Sequence, residues 1–238
     1  MLRIENLTKR YGDKTAVKNL SLNIAPGEIY AFIGHNGAGK TTTLKACVGI
    51  LGFEEGNIYV NGKSVKEKLH ECKQICAYIP DNPDLYNFMS GIKYLGFIAD
   101  VYGVGKEERE KRIHDLAHRL GLFDDLASKI SSYSHGMKQK LAIIGAFLHS
   151  PKLIIMDEPF VGLDPKAAFT LKTMMREHCD NGGSIFFSTH VLDVAERLCD
   201  KVAIIKNGEL VVAGDMDTVK GDSSLESVFL ELGEAENA

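Results

Sequence analysis

Residues 29–48 read IYAFIGHNGAGKTTTLKACV, and this stretch decides the fold. Inside it, Gly34-His35-Asn36-Gly37-Ala38-Gly39-Lys40-Thr41 fits the pattern G-x-x-x-x-G-K-[ST]. The apolar run at 29–33 predicts a buried strand before this loop, and residues 41–48 predict a helix after it. A strand, a glycine loop and a helix in this order are typical of the phosphate-binding loop of an α/β fold.

The residue types of this loop suit a phosphate chain. Glycines let backbone N–H groups curl around phosphate oxygens, and the helix N-terminus adds attraction for an anion. Lys40 is expected to neutralise charge on the β- and γ-phosphates, and the Thr41 hydroxyl is expected to reach Mg²⁺. The alternative is a glycine turn that only caps a helix, which the preceding strand pattern disfavours.

Two further strands end in polar residues. The apolar residues 153–156 precede Asp157 and Glu158, so two carboxylates emerge where a parallel strand delivers its residues to a ligand crevice. Asp157 suits Mg²⁺, and Glu158 is the candidate base that orients and deprotonates an attacking water. His190 follows the strand pattern at 184–189 and is in position to donate a hydrogen bond to a γ-phosphate.

Composition narrows the class of protein. The 238 residues are 45% hydrophobic and 25% charged, as in ordinary globular proteins. A net charge of -4 supplies no basic field for nucleic acid, so no nucleic-acid partner is expected. The sequence has no apolar run long enough to cross a bilayer and no signal-peptide pattern at residues 1–6, so we expect a cytosolic chain. Its five scattered cysteines suit free thiols.

The pattern along the chain predicts an α/β fold with an insertion. Alternation at 20–24 and an Asn61-Gly62 hairpin between 58–60 and 63–65 predict antiparallel strands near the N-terminus. Helices are predicted at 89–102, 106–120 and 135–149, followed by strands at 152–157 and 184–188 around a helix at 167–179. Asn207-Gly208 predicts a second hairpin, between 202–205 and 210–212.

Two smaller expectations complete this pattern. The acidic end at 231–238 is expected to be a frayed tail. Phe88, Tyr94, Phe97 and Tyr102 form an aromatic group that either docks a partner helix or belongs to the core, and we favour the core because aromatic stripes are usually buried.

Together with a third motif, these residues resemble the nucleotide-binding subunits of ABC (ATP-binding cassette) transporters. Ser134-His135-Gly136-Met137-Lys138-Gln139 opens a predicted helix and matches the family's signature loop. The other matches, in chain order, are Tyr11 to the adenine-stacking aromatic, residues 34–42 to Walker A, residues 78–81 to the Q-loop, Asp157-Glu158 to Walker B with the catalytic glutamate, residues 162–164 to the D-loop and Thr189-His190 to the switch histidine. The resemblance covers about residues 1–215 in the family's order.

The resemblance implies a P-loop NTPase (RecA-like) core with an N-terminal antiparallel β-subdomain and an inserted helical subdomain. Its implied boundaries are 1–80 and 151–215 for the ATP-binding core with the β-subdomain, 81–150 for the helical signature subdomain, and 216–238 for a C-terminal helix and tail. ATP and Mg²⁺ are the implied cofactors.

The resemblance also implies roles for particular residues. The implied catalytic residues are Glu158, His190, Lys40, Asp81 and Asp164, and the implied metal ligands are Thr41, Asp81 and Asp157. The implied nucleotide contacts are Tyr11, Val17, Gly34, Asn36, Gly37, Ala38, Gly39, Lys40, Thr41, Thr42, Ser134, His135, Gly136 and Met137.

Three positions depart from the family's commonest pattern. His135 and Met137 replace a glycine and a glutamine of the signature, and they resemble the Ser-x-Gly-Met-Lys-Gln variant of ATPases paired with ABC-2-type exporters. Asp81 replaces the Q-loop glutamine, and because its side chain is shorter we expect a water molecule to bridge it to Mg²⁺ or to the attacking water.

By this resemblance, ATP is expected between Walker A of one subunit and the signature loop of another, in a homodimer or a closely related heterodimer. A separate transmembrane permease is the implied partner, on the inner face of the plasma membrane, and the ATPase itself does not touch the transported substrate. Two other classes of protein are alternatives to a transporter subunit, and they differ in how many of these motifs they share. A soluble ABC ATPase of the iron–sulfur cluster assembly type shares all of them, whereas a non-ABC P-loop enzyme would lack the signature loop and His190.

Overall fold

The computed structural model describes residues 1–234. The strands of this part of the chain are β1 (Leu2–Tyr11), β2 (Lys14–Ile24), β3 (Ile29–Ile33), β4 (Glu55–Val60), β5 (Lys63–Ser64), β6 (Cys76–Ile79), β7 (Leu153–Asp157), β8 (Ser184–Thr189), β9 (Lys201–Lys206) and β10 (Glu209–Asp215). Its helices are α1 (Lys40–Cys47), α2 (Leu69–Gln74), α3 (Gly91–Val101), α4 (Lys106–Arg119), α5 (His135–Leu148), α6 (Pro165–Asp180), α7 (Leu192–Leu198), α8 (Met216–Lys220) and α9 (Leu225–Glu234).

A six-stranded sheet in the order β10-β9-β3-β8-β7-β6 forms the centre of the fold. All its neighbouring pairs are parallel except β9 with β10. Strands β3, β7 and β8 are buried along their whole length, as expected for parallel strands covered on both faces. Because these strands run in the same direction, their carboxyl ends lie side by side at one edge.

Each face of this sheet has its own hydrophobic core. Alternate residues of β3 point to opposite faces, so Ala31 and Ile33 join one core whereas Tyr30 and Phe32 join the other. The first core includes residues of α3, α4, α5 and α6, and the second includes residues of β1, β2, β4 and α1. The central sheet is therefore the shared layer of the molecule.

The N-terminal strands form a separate antiparallel sheet in the order β2-β1-β4-β5. The predicted hairpin at Asn61-Gly62 is confirmed, and both turn residues have positive φ (48° and 79°). The predicted hairpin at Asn207-Gly208 is also confirmed, with φ of 50° and 83°. Such turns favour Asn-Gly because both central residues adopt left-handed backbone conformations.

The predicted helices between β6 and β7 are present as α3, α4 and α5, and each end lies within two residues of the prediction. Helix α3 begins at Gly91 and not at residue 89, because the Ser90 side chain accepts a hydrogen bond from the Lys93 amide and caps the helix. Helix α5 begins where predicted, and Ser134 caps it in the same way by accepting from the Met137 amide at 3.2 Å.

The prediction of a frayed acidic end was wrong for residues 231–234, which belong to α9. The helix persists because Phe229 and Leu232 pack partly buried against the core, and Lys206 Nζ donates a hydrogen bond to the Leu232 carbonyl at 3.1 Å. Residues 235–238 of the predicted tail lie outside the described part.

The assignment of the aromatic group to the core was wrong for two of its members. Phe88 is 79% exposed and Phe97 is 42% exposed, whereas Tyr94 packs partly buried against the core. Helix α3 buries Leu95 and Ala99 on its core side, which leaves Phe97 on the outer side beside Tyr86, with ring centroids 5.8 Å apart.

Within residues 1–234, no helix combines the length and apolar character needed to cross a membrane.

Candidate active site

A cleft of about 340 Å³ opens where the carboxyl ends of β3 and β7 meet the start of α1. The residues that line it are Tyr11, Lys14, Ala16, His35, Asn36, Gly37, Gly39, Lys40, Thr41, Thr42, Asp81, Asp157 and Glu158. The glycine loop thus faces the two strand-end carboxylates and the half-exposed Tyr11 ring across one cavity. This position is where open α/β sheets bind ligands.

The loop requires glycine at two places for different reasons. Gly39 has φ of 109°, and a Cβ there would lie 2.6 Å from the Ala16 carbonyl oxygen. A Cβ on Gly34 would lie 2.5 Å from the Ile205 carbonyl oxygen, so the loop rests directly on strand β9. Only a residue without a side chain allows the backbone to take this path beside α1.

Lys40 is buried at the start of α1, with 7% of its side chain exposed. Its Nζ donates to the Gly34 carbonyl at 2.5 Å and to the His35 carbonyl at 3.3 Å, and it lies 3.9 Å from Glu158 Oε1. Burial lowers the pKa of Lys40, and the nearby carboxylates of Glu158 and Asp157 partly oppose this shift. The ammonium is therefore held inside the loop that would surround a phosphate.

Asp157 is a buried carboxylate, 2% exposed, with both oxygens hydrogen-bonded. Thr41 Oγ1 donates to Oδ2 at 2.6 Å, and Ser188 Oγ donates to Oδ1 at 2.5 Å. A hydroxyl and a carboxylate are the oxygen ligands that Mg²⁺ takes, and this ion usually completes its shell with water and substrate phosphates. Thr41 and Asp157 therefore fit a magnesium ion that is bound together with a nucleotide.

Glu158 follows Asp157 in a left-handed backbone conformation, with φ of 47°. Its amide donates to Ser188, to the carbonyl at 3.2 Å and to Oγ at 3.1 Å. Its carboxylate oxygen Oε2 lies 2.9 Å from His190 Nδ1. Non-glycine residues in this region cost conformational energy and cluster at functional sites, and here the strained turn directs the carboxylate into the cleft.

Tyr78 lies near the carboxylates of the site but outside the lining of the cleft, and the sequence analysis assigned it no role. Its hydroxyl is buried and has no hydrogen-bond partner among the described residues. Burial raises the pKa of Tyr78, and the negative charges of Asp157 and Asp81 add to the shift. The phenol therefore stays neutral beside the carboxylate end of the cleft.

The sequence analysis also missed residues that line the cleft or orient its carboxylates. Lys14, Ala16 and His35 line it, and Ser188 orients Asp157. Ser188 carried a readable signal, since it is a polar residue directly after the apolar run at 185–187 in β8. Lys14 and Ala16 carried none, because they come from β2 of the other sheet and only the tertiary fold brings them to the loop.

Several sequence-predicted residues are not in the lining of the cleft. Val17 is fully buried, and its Cγ2 would contact a Cβ on Gly39 at 3.3 Å, so it supports the loop from behind. Ala38 is also buried. Asp164 caps α6 by accepting from the Ala167 amide at 2.8 Å, and it pairs with Lys140 at 2.6 Å.

The signature residues 134–137 form a second surface, at the N-terminus of α5. Within the described residues, none of the four belongs to the lining of the cleft. A Cβ on Gly136 would lie 2.5 Å from the Gly162 carbonyl oxygen, so this loop packs closely against the segment before α6. One chain therefore presents the phosphate-binding loop and the signature loop at separate places.

A glycine loop before α1, a buried lysine and a strand-end Asp-Glu pair define a P-loop nucleoside triphosphatase. The ABC transporter family matches residues 17–161. The chain is 37% identical to the ABC-type transporter ATP-binding protein EcsA of Bacillus subtilis (strain 168), over 98% of this chain and 96% of that protein. It is 34% identical to the linearmycin resistance ATP-binding protein LnrL of the same organism, over 90% of this chain and 69% of that protein.

A solved structure described as the ATP binding subunit of an ABC transporter superposes with a TM-score of 0.94. It is 35% identical, and the match covers 98% of this chain and 99% of that one. The chain belongs to the ABC transporter family, as an ATP-binding subunit. The predicted family, the P-loop fold, the ATPase class and the use of ATP with Mg²⁺ are thereby confirmed.

Proposed function

We propose that this chain hydrolyses ATP as one of a pair of subunits that drives an exporter through a separate transmembrane permease. ATP binds to residues 34–42 of one subunit and to the signature residues 134–139 of its partner. The observation that carries this proposal is the separation of the two loops within one chain, since the signature residues lie outside the cleft lining among the described residues.

The N-terminus of α5 supplies the chemistry that a second subunit would bring. Its first amide groups point out of a helix of 14 residues, where the backbone dipole attracts negative charge. Ser134 and the Gly136 backbone add donors for a γ-phosphate. Because this phosphate would be shared between two subunits, its hydrolysis would loosen the pair and couple chemistry to movement.

We assign roles from position to residues of the cleft and to His190, which contacts Glu158. Glu158 orients and deprotonates the attacking water, His190 contacts the γ-phosphate, and Lys40 neutralises phosphate charge. Thr41 and Asp157 hold Mg²⁺, to which Asp81 is linked through water. The Tyr11 ring, 50% exposed at the mouth of the cleft, stacks on adenine.

Two observations support export as the direction of transport. The signature carries Met137, as in the ATPases of ABC-2-type exporters that it resembles. LnrL, which is similar over 90% of this chain, is named for resistance to linearmycin. The relatives reported above are transporter proteins, so the iron–sulfur cluster assembly alternative gains no support from them.

Exposed aromatic residues of the helical insertion form the surface that we assign to permease binding. Tyr86, Phe88 and Phe97 are 49%, 79% and 42% exposed, and the Tyr86 ring contacts each of the other two rings. Clustered exposed aromatic residues mark protein interfaces more often than free surface. We infer that the chain is held there at the inner face of the plasma membrane, away from the transported substrate.

A mixing experiment tests the shared site. Lys40→Ala removes the phosphate contact of one cleft, and Gly136→Asp places a carboxylate where the partner's γ-phosphate would lie. Each variant alone should be inactive. Mixed together, they should recover part of the wild-type ATPase activity, because one of the two sites in a mixed pair is then intact. Each variant assayed alone, at the same total protein concentration as the mixture, serves as a control.

The same proposal predicts ATP-dependent pairing. Glu158→Gln with saturating MgATP should sediment as a dimer, and Glu158→Gln carrying Gly136→Asp should remain monomeric. Monomers under all conditions, together with no recovery of activity in the mixture, would contradict the shared site.

A further inference from the structure

The C-terminal helix α9 touches the phosphate-binding loop through one pair of rings. The centroid of the Phe229 ring lies 4.7 Å from that of the His35 imidazole, with 49° between the ring planes. His35 is the second residue of the loop, and it lines the nucleotide cleft. A residue near the end of the chain thus contacts the loop that would bind phosphate.

His35 is held on its other side by the loop itself. Its carbonyl oxygen accepts from the Ala38 amide at 3.1 Å and from Lys40 Nζ at 3.3 Å. The backbone of His35 therefore belongs to the hydrogen-bonded turn of the loop, while its side chain rests on α9. A group that restrains this side chain also restrains the path of the backbone into the loop.

Helix α9 is anchored firmly enough to act as that restraint. At its start, Leu225 is fully buried and its amide donates to Glu196 Oε2 at 3.0 Å. Near its end, the Leu232 carbonyl accepts from Lys206 on strand β9. Strand β9 also supports the loop, because its Ile205 carbonyl lies under Gly34. Loop and helix are therefore fixed to the same strand.

We propose that Phe229 is a positioning residue for nucleotide binding. Its ring holds His35, and with it the first half of the loop, in the conformation that receives the phosphates of ATP. This inference rests on the proposed function, since it concerns the same cleft. Among the described residues, Phe229 is not part of the cleft lining. It therefore contributes by ordering the phosphate-binding loop before ATP binds.

A restraint of this kind affects binding and not the chemical step. Phe229→Ala should raise the Kd and the KM for ATP by about two- to tenfold, the range that an aromatic pair supports. The kcat should stay within about twofold, because uniform binding is lost and no transition-state contact is removed. Phe229→Tyr keeps the ring and should restore the wild-type KM.

The matched control is Leu230→Ala, the next residue of the same helix, whose side chain is 57% exposed. It should leave KM and kcat unchanged. The readouts are steady-state ATPase kinetics and ATP titration of the full-length chain, with thermal unfolding of each variant to show that α9 still packs.

A double variant tests whether Phe229 acts through His35. His35→Ala should reproduce the rise in KM while leaving α9 in place. Adding Phe229→Ala to it should cost little more, because residues in contact are not additive. Additive effects, or a Phe229→Ala enzyme with the wild-type KM, would overturn the positioning role while the proposed function stands. Failure of the wild-type chain to bind ATP would overturn both.

Discussion

The hydroxyl of Thr41 donates a hydrogen bond of 2.6 Å to Oδ2 of Asp157, although the two residues belong to α1 and β7. Oδ1 of the same carboxylate accepts from Ser188 on the neighbouring strand β8. Three segments far apart in the chain thus fix one buried carboxylate at the edge of the cleft. Its orientation is set before any metal ion binds, which is how ligand carboxylates are kept ready.

The first prediction concerns Ser188, which orients a metal ligand without being one. Ser188→Ala should raise the Mg²⁺ concentration for half-maximal ATPase activity by roughly tenfold to a hundredfold, the usual effect of losing such a partner. Magnesium titration of the steady-state rate measures it.

Ser184 provides the control for Ser188. It is a fully buried serine at the other end of the same strand, where its hydroxyl donates to the Ala25 carbonyl at 2.9 Å. Ser184→Ala should leave the magnesium requirement unchanged. An identical requirement in both variants would remove Ser188 from this role.

The second prediction concerns Glu158 as the general base. Glu158→Gln keeps the size of the side chain but removes its ability to take a proton, so turnover should fall by about a hundredfold or more while ATP binding persists. ATPase assays and equilibrium ATP titration measure the two effects. Glu67→Gln, at an exposed carboxylate before α2, is the control. Near-normal turnover in Glu158→Gln would assign the base elsewhere.

The third prediction distinguishes the effect of Lys40 on nucleotide binding from its effect on the stability of the folded chain. Burial lowers the pKa of Lys40 below its ordinary value of 10.5, so the folded chain holds this proton less tightly than the unfolded chain. The charged ammonium therefore costs stability at neutral pH. This cost diminishes as pH rises through the window between the lowered pKa and 10.5.

Lys40→Met removes the charge and keeps most of the chain length. At pH about 7 and without nucleotide, its Tm should equal or exceed that of the wild type, and the difference should shrink as pH rises. The stabilisation that MgATP gives the wild type should disappear, because the phosphate contact is lost. Calorimetry measures both. A variant that still gains stability from MgATP would exclude Lys40 from phosphate binding.

The fourth prediction compares two glycines of the helical insertion. Gly136→Ala places a Cβ 2.5 Å from the Gly162 carbonyl oxygen and must move one of the two loops. Because small displacements at reacting groups are costly, ATPase activity should fall by about tenfold to a hundredfold. Gly96→Ala meets no atom within 4 Å inside α3 and should raise stability by about 0.5–1 kcal/mol with normal activity. Equal activity in both variants would show that the signature loop tolerates the shift.

Local sequence patterns predicted most of the helices and strands, but they did not predict which side chains are buried or what those side chains pack against. The Asn-Gly hairpins and the strand before the glycine loop were readable because turn chemistry and apolar runs act over a few residues. Phe97 was misassigned because a helix with Leu95 and Ala99 on its core side has no room for the ring there. The end of α9 was misassigned because its support comes from Lys206 and the core, and not from its own acidic residues.

The sequence by itself determined the phosphate-binding loop, the strand-end carboxylates, the signature loop and hence the family, because each of these depends on residues that are contiguous in the chain. Only the tertiary structure decided that Ser188 orients Asp157, that Val17 lies behind the loop, and that Phe229 reaches His35. These contacts join segments distant in sequence, and their distances follow from how the sheets and helices pack around two cores. No pattern of neighbouring residues encodes such packing.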